Sequence, residues 1–426
     1  MVVDLRSLLP LLVLFVTLPI TSTLGSLPSN QNILLQHTTS GVVEGFADNT
    51  TISGVPLHKW LGMRFAQDTS GLNRWKPPQP VVPELGAVFN ASEYGPACLQ
   101  GRADGGSGTA IQSEDCLRIN VIAPANASNL PVYLYAHGGG FDSGASSDAK
   151  IDVEWLHTNV HRFGGDPKKI TLGGESVGAG MTNFYLSAYR KNPLIRAAVM
   201  QSGDGDGQLD CLRTKDGSEL RKVLLETGAQ FQPVTDNITI WKDYIKQTKA
   251  GHSTRVPLLI GTNKDEGTLI VEGESTAYLN EIAQYSKSNN LNFPHASLST
   301  LQSLYPVPSK QYPTAYNASA AIWRDAHMLC HARNLAHYRT ITTTTVWRYR
   351  WDHIASNLNS RGERIGAFHG SDIRFVMGQW RMIVLSPPYV PATEEQIKIS
   401  DLMVTAWTNF VKGGNLHSGL MKEDAD

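Results

Sequence analysis

Charge of either sign is scarce in this chain: only 18% of its 426 residues are Asp, Glu, Lys or Arg, and 37 basic against 38 acidic residues leave a formal charge of −1. No block of Lys or Arg interrupts that balance. Nucleic acids and anionic membranes both need clustered cations, so neither is the expected partner, and a small neutral molecule fits better. Past residue 30 the chain also lacks internal repeats and any Pro/Gly/Ser-rich linker long enough to separate distinct cores. One large domain over residues 26–426 is therefore expected. A mainly disordered chain is excluded, because 41% of the residues are hydrophobic.

Apolar residues are not gathered into a run long enough to cross a bilayer. The stretch from Leu8 to Ile20 is broken by Pro10 and Pro19 and falls short of the roughly 20 residues that a spanning helix needs. With Arg6 before it and the small residues Thr23 and Gly25 ahead of Ser26, residues 1–25 read as a secretory signal peptide rather than a transmembrane anchor. Asn-x-Ser/Thr sequons at Asn49, Asn90, Asn126, Asn237 and Asn317 agree with secretion as glycosylation candidates. Cysteines are few, four in all. Cys98 and Cys116 are the pair nearest in sequence, and the glycine-rich stretch between them is loop-like; closing such a loop is worth about 3 kcal/mol in the chain-entropy picture. Cys211 and Cys330 have only each other as partners, with buried free thiols as the alternative.

From Leu117 onward, compact aliphatic, β-branched or aromatic runs recur: LRINVIAP, PVYLYAH, KITLGG, RAAVMQSG, VPLLIGTN and TTVWRYRW. Several lead into helix-like segments, such as VEWLHTNVHRF and VGAGMTNFYLSAYR. That alternation implies an α/β fold with a mostly parallel sheet flanked by helices, in which ligands sit at the carboxyl ends of the strands. Near the C-terminus, Thr393 and Gln396 have capping-box spacing, Ile399, Met403, Ala406 and Phe410 share one helical face, and Gly413 is the expected stop.

Two loops carry chemistry. Gly174-Glu175-Ser176-Val177-Gly178 is a G-x-S-x-G sequence between a strand-like and a helix-like run, the setting that turns a serine hydroxyl outward. Upstream, a strand runs into His137-Gly138-Gly139-Gly140-Phe141, where consecutive glycines let backbone N–H groups face a ligand, as an oxyanion hole requires. A serine nucleophile needs a histidine base and an acid to orient it. Asp265 and Glu266 follow the strand VPLLIGTN, and spacing does not choose between them. Of the later histidines, His295, His327, His331, His337, His353, His369 and His417, His369 stands out in the glycine-flanked loop GAFHGSD.

These stretches, with LGMRFA, RWKPPQP, SEDCLRINV and FGGDPKKITLGGESVGAG, resemble the type-B carboxylesterase/lipase family of carboxylesterases, cholinesterases and fungal lipases. The resemblance runs from about residue 41 to about residue 412. It implies the α/β-hydrolase fold, with Ser176 as nucleophile, Glu266 rather than Asp265 as acid, and His369 as base. It also implies an oxyanion hole from the N–H groups of Gly139, Gly140 and Val177, a Cys98–Cys116 disulfide, and chemistry that needs no metal or cofactor. The implied reaction is hydrolysis of a small-molecule or lipid ester through an acyl-enzyme.

The chain departs from that family in three places. Members carry a further strand between HGGGF and FGGDP, whereas DSGASSDAKIDVEWLHTN bridges the two here; the missing strand is central, so its loss would leave a gap between two neighbours. A second segment is missing after VMQSGDGD, which deprives Cys211 of its usual partner, and the C-terminus is short. The stretch between Cys98 and Cys116 contains no Trp, Tyr or Phe, so the aromatic platform of a cholinesterase is absent from it. Nor does it present a continuous apolar lid, since Leu99, Ala103, Ala110 and Ile111 are scattered. Esters with short-to-medium acyl chains are the expected substrates; a lipase acting on acylglycerols and an inactive esterase-like binding protein are the alternatives.

Overall fold

The computed structural model describes residues 34–51, 54–74, 76–100, 111–141, 143–144, 149–203, 222, 235–271, 298–342, 344–355, 357, 362–379 and 391–416. The expected signal peptide, Ala103, Ala110, Cys211, His295 and His417 lie outside these residues. From Leu34 onward the chain forms one compact unit.

Five strands build the main sheet in the order β11-β10-β9-β8-β7, every neighbouring pair parallel: β7 (Leu130–Ala136), β8 (Gly165–Glu175), β9 (Ala197–Gln201), β10 (Leu258–Asn263) and β11 (Val346–Trp351). The central strands are buried on both faces, which is why they read as unbroken apolar runs. Alternation sorts their side chains. Ala198, Met200, Leu258 and Ile260 pack with Ala179, Tyr185 and Leu186 of helix α2 (Val177–Ala188), which follows α1 (Ala149–Asn159) in the chain. Ala197, Val199 and Leu259 face the other way, onto Trp407 and Phe410.

The helices α3 (Tyr244–Lys249), α4 (Leu298–Leu304), α5 (Ala315–Arg324), α6 (Cys330–Ile341) and α7 (Ile373–Val376) precede the C-terminal helix α8 (Glu394–Gly413). A π-helical turn, Asp325–Leu329, joins α5 to α6. Thr393 and Gln396 form both halves of the capping box at the start of α8. The helix stops one residue later than expected, because Gly414 rather than Gly413 takes the left-handed conformation, with φ +67°.

The remaining strands form two small sheets. β1 (Leu35–Thr38), β2 (Gly41–Glu44) and β5 (Val88–Asn90) make one; β3 (Phe46–Asp48), β4 (Leu57–Arg64) and β6 (Arg118–Pro124) make the other, antiparallel throughout. β6 and β7 are consecutive, and each ends its own sheet. Yet Trp60, Met63 and Ile119 on the β4–β6 side share one core with Ile170, Leu172 and Met200, and Val121, Ala123, Val132 and Leu134 pack against it. The layer is thus one hydrophobic unit in which, among the described residues, no ladder joins β6 to β7, the position at which the family resemblance leads one to expect a further strand.

Hydrogen–deuterium exchange gives a direct check. β9 is paired on both sides and, among the described residues, β7 only with β8, so the outward half of the β7 amides should exchange at least tenfold faster than those of β9. Equal protection of the two strands would contradict the interrupted ladder.

Candidate active site

β8 ends at Glu175 and α2 begins at Val177, which leaves Ser176 alone to make the turn, at φ +55° and ψ −124°. A positive φ is costly for a residue with a Cβ and is characteristic of a serine held outward on a strand-to-helix elbow. The turn is possible because its flanking residues have no side chains: a Cβ on Gly174 or Gly178 would collide with the carbonyl oxygen of Ala136 at the end of β7. Ser176 N–H donates to Gln201 O at 2.8 Å, which fixes the turn against β9.

Beside the elbow, β7 opens into the glycine loop. Gly139 and Gly140 have φ of +120° and +66°, which glycine adopts without penalty. Ser143 donates to Gly139 O through both N–H (3.0 Å) and hydroxyl (2.8 Å). The loop is also held from the segment of the Cys98–Cys116 disulfide, which is formed in the structure: Gln100 Nε2 donates to Gly144 O at 2.8 Å, and Gly144 N–H donates to Gln100 Oε1 at 3.0 Å.

The two carboxylates that spacing left open have separate surroundings. Glu266 is fully buried, and its Oε2 lies 2.6 Å from His369 Nδ1. Its Oε1 accepts from Asn263 N–H at 2.6 Å and from the Ser202 hydroxyl at 2.5 Å. Asp265 instead accepts from Ala367 N–H at 2.9 Å and pairs with the backbone just before His369. One carboxylate touches the imidazole, and its neighbour anchors the loop that carries it.

His369 Nε2 lies 3.3 Å from Oε1 of buried Glu175, and the Ser176 hydroxyl makes no hydrogen bond to His369 in this structure. Burial alone would lower the His369 pKa, but the hydrogen bond that Nδ1–H donates to Glu266 and the charges of Glu175 and Glu266 outweigh it and raise it to about 9. Burial pushes Glu175 up to about 7, with Asp372 and Glu266 adding to the rise and His369 opposing it. Asp372, fully buried and also raised by burial, accepts from Gln201 Nε2 (3.0 Å), Tyr349 OH (2.8 Å) and Asn263 Nδ2 (3.2 Å).

Sequence reasoning missed Glu175, Ser202 and Asp372 as parts of this network. Their signals were positional: Glu175 is the first variable residue of the G-x-S-x-G pattern, Ser202 is the serine of the VMQSG run, and Asp372 stands three residues after His369. Of the candidate bases beyond Glu266, the described His327, His331, His337 and His353 make no contact with it, and no group of three or more potential metal ligands occurs among the described residues. Cys330 is a free, exposed thiol. Asn49, Asn90, Asn126 and Asn237 are exposed, while Asn317 is half-buried and serves the α5 capping box.

The model of the carboxylesterase family matches residues 32–153, 147–209 and 204–424. The chain belongs to that family. Its fold is accordingly the α/β-hydrolase fold, and its relatives support carboxylic ester hydrolysis at family level. The family match changes segment around residues 147–153 and 204–209, near the two internal positions at which the resemblance leads one to expect further residues. The para-nitrobenzyl esterase of Bacillus subtilis (strain 168) is 29% identical over 455 aligned positions, covering 87% of this chain and 89% of that protein. Acetylcholinesterase of Electrophorus electricus is 25% identical, covering 84% and 76%. A protein of Byssochlamys spectabilis named as an inactive carboxylesterase-like protein is also 25% identical, covering 84% and 80%.

The raised His369 pKa makes stability depend on pH with a definite sign. Folding tightens proton binding, so the stabilisation is complete below about pH 6.5, the unfolded value, and is lost as pH climbs through about 9. Urea unfolding of the wild type and His369→Gln from pH 6 to 10 should show a stability difference that shrinks over that window. A difference independent of pH would contradict the assignment.

Proposed function

We propose that this carboxylesterase-family protein hydrolyses carboxylic esters through an acyl-enzyme on Ser176. The observation that carries the reading is the buried Glu266 at 2.6 Å from His369 Nδ1, in the same site as a serine elbow held at positive φ. Ser176 is the nucleophile: its hydroxyl oxygen bonds to the ester carbonyl carbon while His369 Nε2 takes its proton. His369 then gives that proton to the departing alcohol oxygen, and the same sequence with water releases the acid. Glu266 holds the imidazole by Nδ1 and stabilises the imidazolium. The N–H groups of Gly139, Gly140 and Val177 form the oxyanion hole, with Val177 at the N-terminus of α2 adding the favourable helix end.

His369 Nε2 faces Glu175 in the resting structure, and catalytic hydrogen bonds in unliganded enzymes tighten only when substrate arrives. A neutral imidazole is required to accept the serine proton. The rate therefore rises with pH, with its limb displaced from the ordinary histidine range toward about 9. Removing the negative neighbour with Glu175→Gln should move that limb to lower pH.

The substrates favoured by this reading are esters with short-to-medium acyl chains. Ile111 is exposed and Leu99 half-buried in the disulfide segment, so the described residues there offer neither an aromatic platform nor a broad apolar face. No described helix is long and apolar enough to cross a membrane. Secretion is proposed on the N-terminal segment and the sequons, and would appear as protein in the medium whose mass falls on glycosidase treatment.

The deciding experiment compares the secreted protein with Ser176→Ala, using a short-acyl chromogenic ester and a fluorophosphonate probe. Wild-type turnover and labelling should both occur, and the variant should lose labelling and at least a thousandfold in kcat/KM. Absence of both from a wild-type protein that melts cooperatively would favour the inactive binding reading. Turnover of tributyrin only above its solubility limit would favour a lipase.

A further inference from the structure

Helix α5 packs on the elements that carry both Glu266 and His369. Tyr316, Ala320 and Trp323 recur along it at steps of four and three and so share one helical face. This face lies on the turn Glu266–Thr268: a Cβ on Gly267 would collide with the carbonyl oxygen of Ala320, and Tyr316 OH donates to Thr268 O at 2.8 Å. Arg324 Nη1 donates to Lys264 O at 3.3 Å. The loop that carries His369 meets the same helix, since the Arg364 guanidinium lies 5.0 Å from the centre of the Tyr316 ring.

One turn beyond Ala320, this packing brings Trp323 to the imidazole. The two rings are nearly perpendicular, at 74°, with centroids 6.2 Å apart. The indole is held from behind: it packs against Val271, Tyr316 and Ala320, and His327 stacks on one of its faces at 4.7 Å and 19°. Trp323 is nonetheless only half-buried, so the fold leaves part of its surface uncovered. The other groups facing the imidazole are acidic, Glu266 at Nδ1 and Glu175 at Nε2, with the charge of Asp372 adding to theirs. Among the described neighbours of His369, Trp323 thus supplies the apolar surface.

The reaction gives that surface to one half of the substrate. His369 Nε2 delivers its proton to the departing alcohol oxygen, so the first carbons of the alcohol lie beside the imidazole while the carbonyl oxygen points into the glycine loop. We propose that Trp323 is the wall of the alcohol subsite and selects esters of neutral aromatic alcohols over those of small alkyl alcohols. The assignment rests on the ester-hydrolase reading and adds the class of leaving group to it. An aryl ring gains edge-to-face or offset contact with the indole in addition to its buried area. A quaternary ammonium needs the open face of an aromatic ring, and His327 already covers one face of this indole.

The test uses two isomeric esters: phenethyl acetate carries its ring on the alcohol, ethyl phenylacetate on the acid. Each is compared with ethyl acetate. In wild type, phenethyl acetate should exceed ethyl acetate about tenfold in kcat/KM. Trp323→Leu should cut that ratio about fivefold, and Trp323→Phe, which keeps a ring, less than about twofold; the ratio for ethyl phenylacetate should stay within about twofold in both. A wild-type ratio of one or less, equal losses in the two variants, or a loss confined to ethyl phenylacetate overturns the proposal. Trp323→Met replaces Trp323→Leu if the latter does not melt cooperatively. Binding is read without turnover by titrating phenethyl acetate calorimetrically into Ser176→Ala. Adding Trp323→Leu should weaken the Kd about fivefold; an unchanged Kd overturns the assignment. Failure of the fluorophosphonate probe to label wild type, by contrast, leaves this binding arm intact and counts against the nucleophile assignment alone.

Discussion

A carboxyl group taken wholly out of water governs the arrangement of this molecule. Glu266 is fully buried, and burial of such a group is costly unless every acceptor position is answered. Three different segments of the chain answer it: Asn263 at the end of β10, Ser202 at the end of β9, and His369 from a loop more than a hundred residues later. Each donor is placed by the sheet or by a contact to it. Ser202 adopts φ +50°, and the His369 loop is fastened by Asp265 through the Ala367 backbone. Buried polar networks of this kind specify one arrangement because a partly satisfied version is worse than none.

A second constraint acts at the elbow. The turn at Ser176 requires the end of β7 to approach the start of α2 closely, and only glycine at 174 and 178 permits it. The same approach brings the glycine loop after β7 against the serine. The proposed nucleophile and oxyanion donors are thus set by one steric condition, whereas the proposed acid and base are set by the hydrogen bonds of Glu266. Glu175 links the two halves, since it ends β8 on one side and faces His369 Nε2 on the other. Its raised pKa follows from burial at this junction, with the charges of Asp372 and Glu266 adding to it and His369 opposing it.

Much of this was legible in the sequence because it is periodic or local. Every aliphatic run from LRINVIAP to TTVWRYRW became a strand, and the central β9 and β10 are buried along their whole length, which is why they read as unbroken apolar runs. The α8 start was legible in Thr393 and Gln396, whose capping contacts lie within one turn. Its stop was legible only to one residue, because which of two adjacent glycines turns left-handed depends on the contacts beyond the helix. The choice between Asp265 and Glu266 was not legible from spacing: both follow the same strand, and what separates them is which side chain meets a loop distant in sequence. Asp372 was hidden for a related reason. It looks like any loop aspartate until Gln201, Tyr349 and Asn263 converge on it from three strands or strand ends.

The interruption between β6 and β7 tests how far a fold of this kind depends on a continuous ladder. Every residue assigned to the reaction comes from β7 onward, on strands that pair without a break from β7 to β11. The β4–β6 sheet contributes core instead, through Trp60, Met63 and Ile119. What the interruption does change is the standing of β7, which carries the glycine loop and is now an edge. An edge strand frays more readily than a central one. The loop is not left to the strand alone, however. Gln100 makes two hydrogen bonds to Gly144 from the far side, and the Cys98–Cys116 bond secures the segment on which Gln100 stands. In the proposed enzyme, a covalent crosslink outside the main sheet thus takes over some of the restraint on the oxyanion loop that a neighbouring strand would otherwise supply.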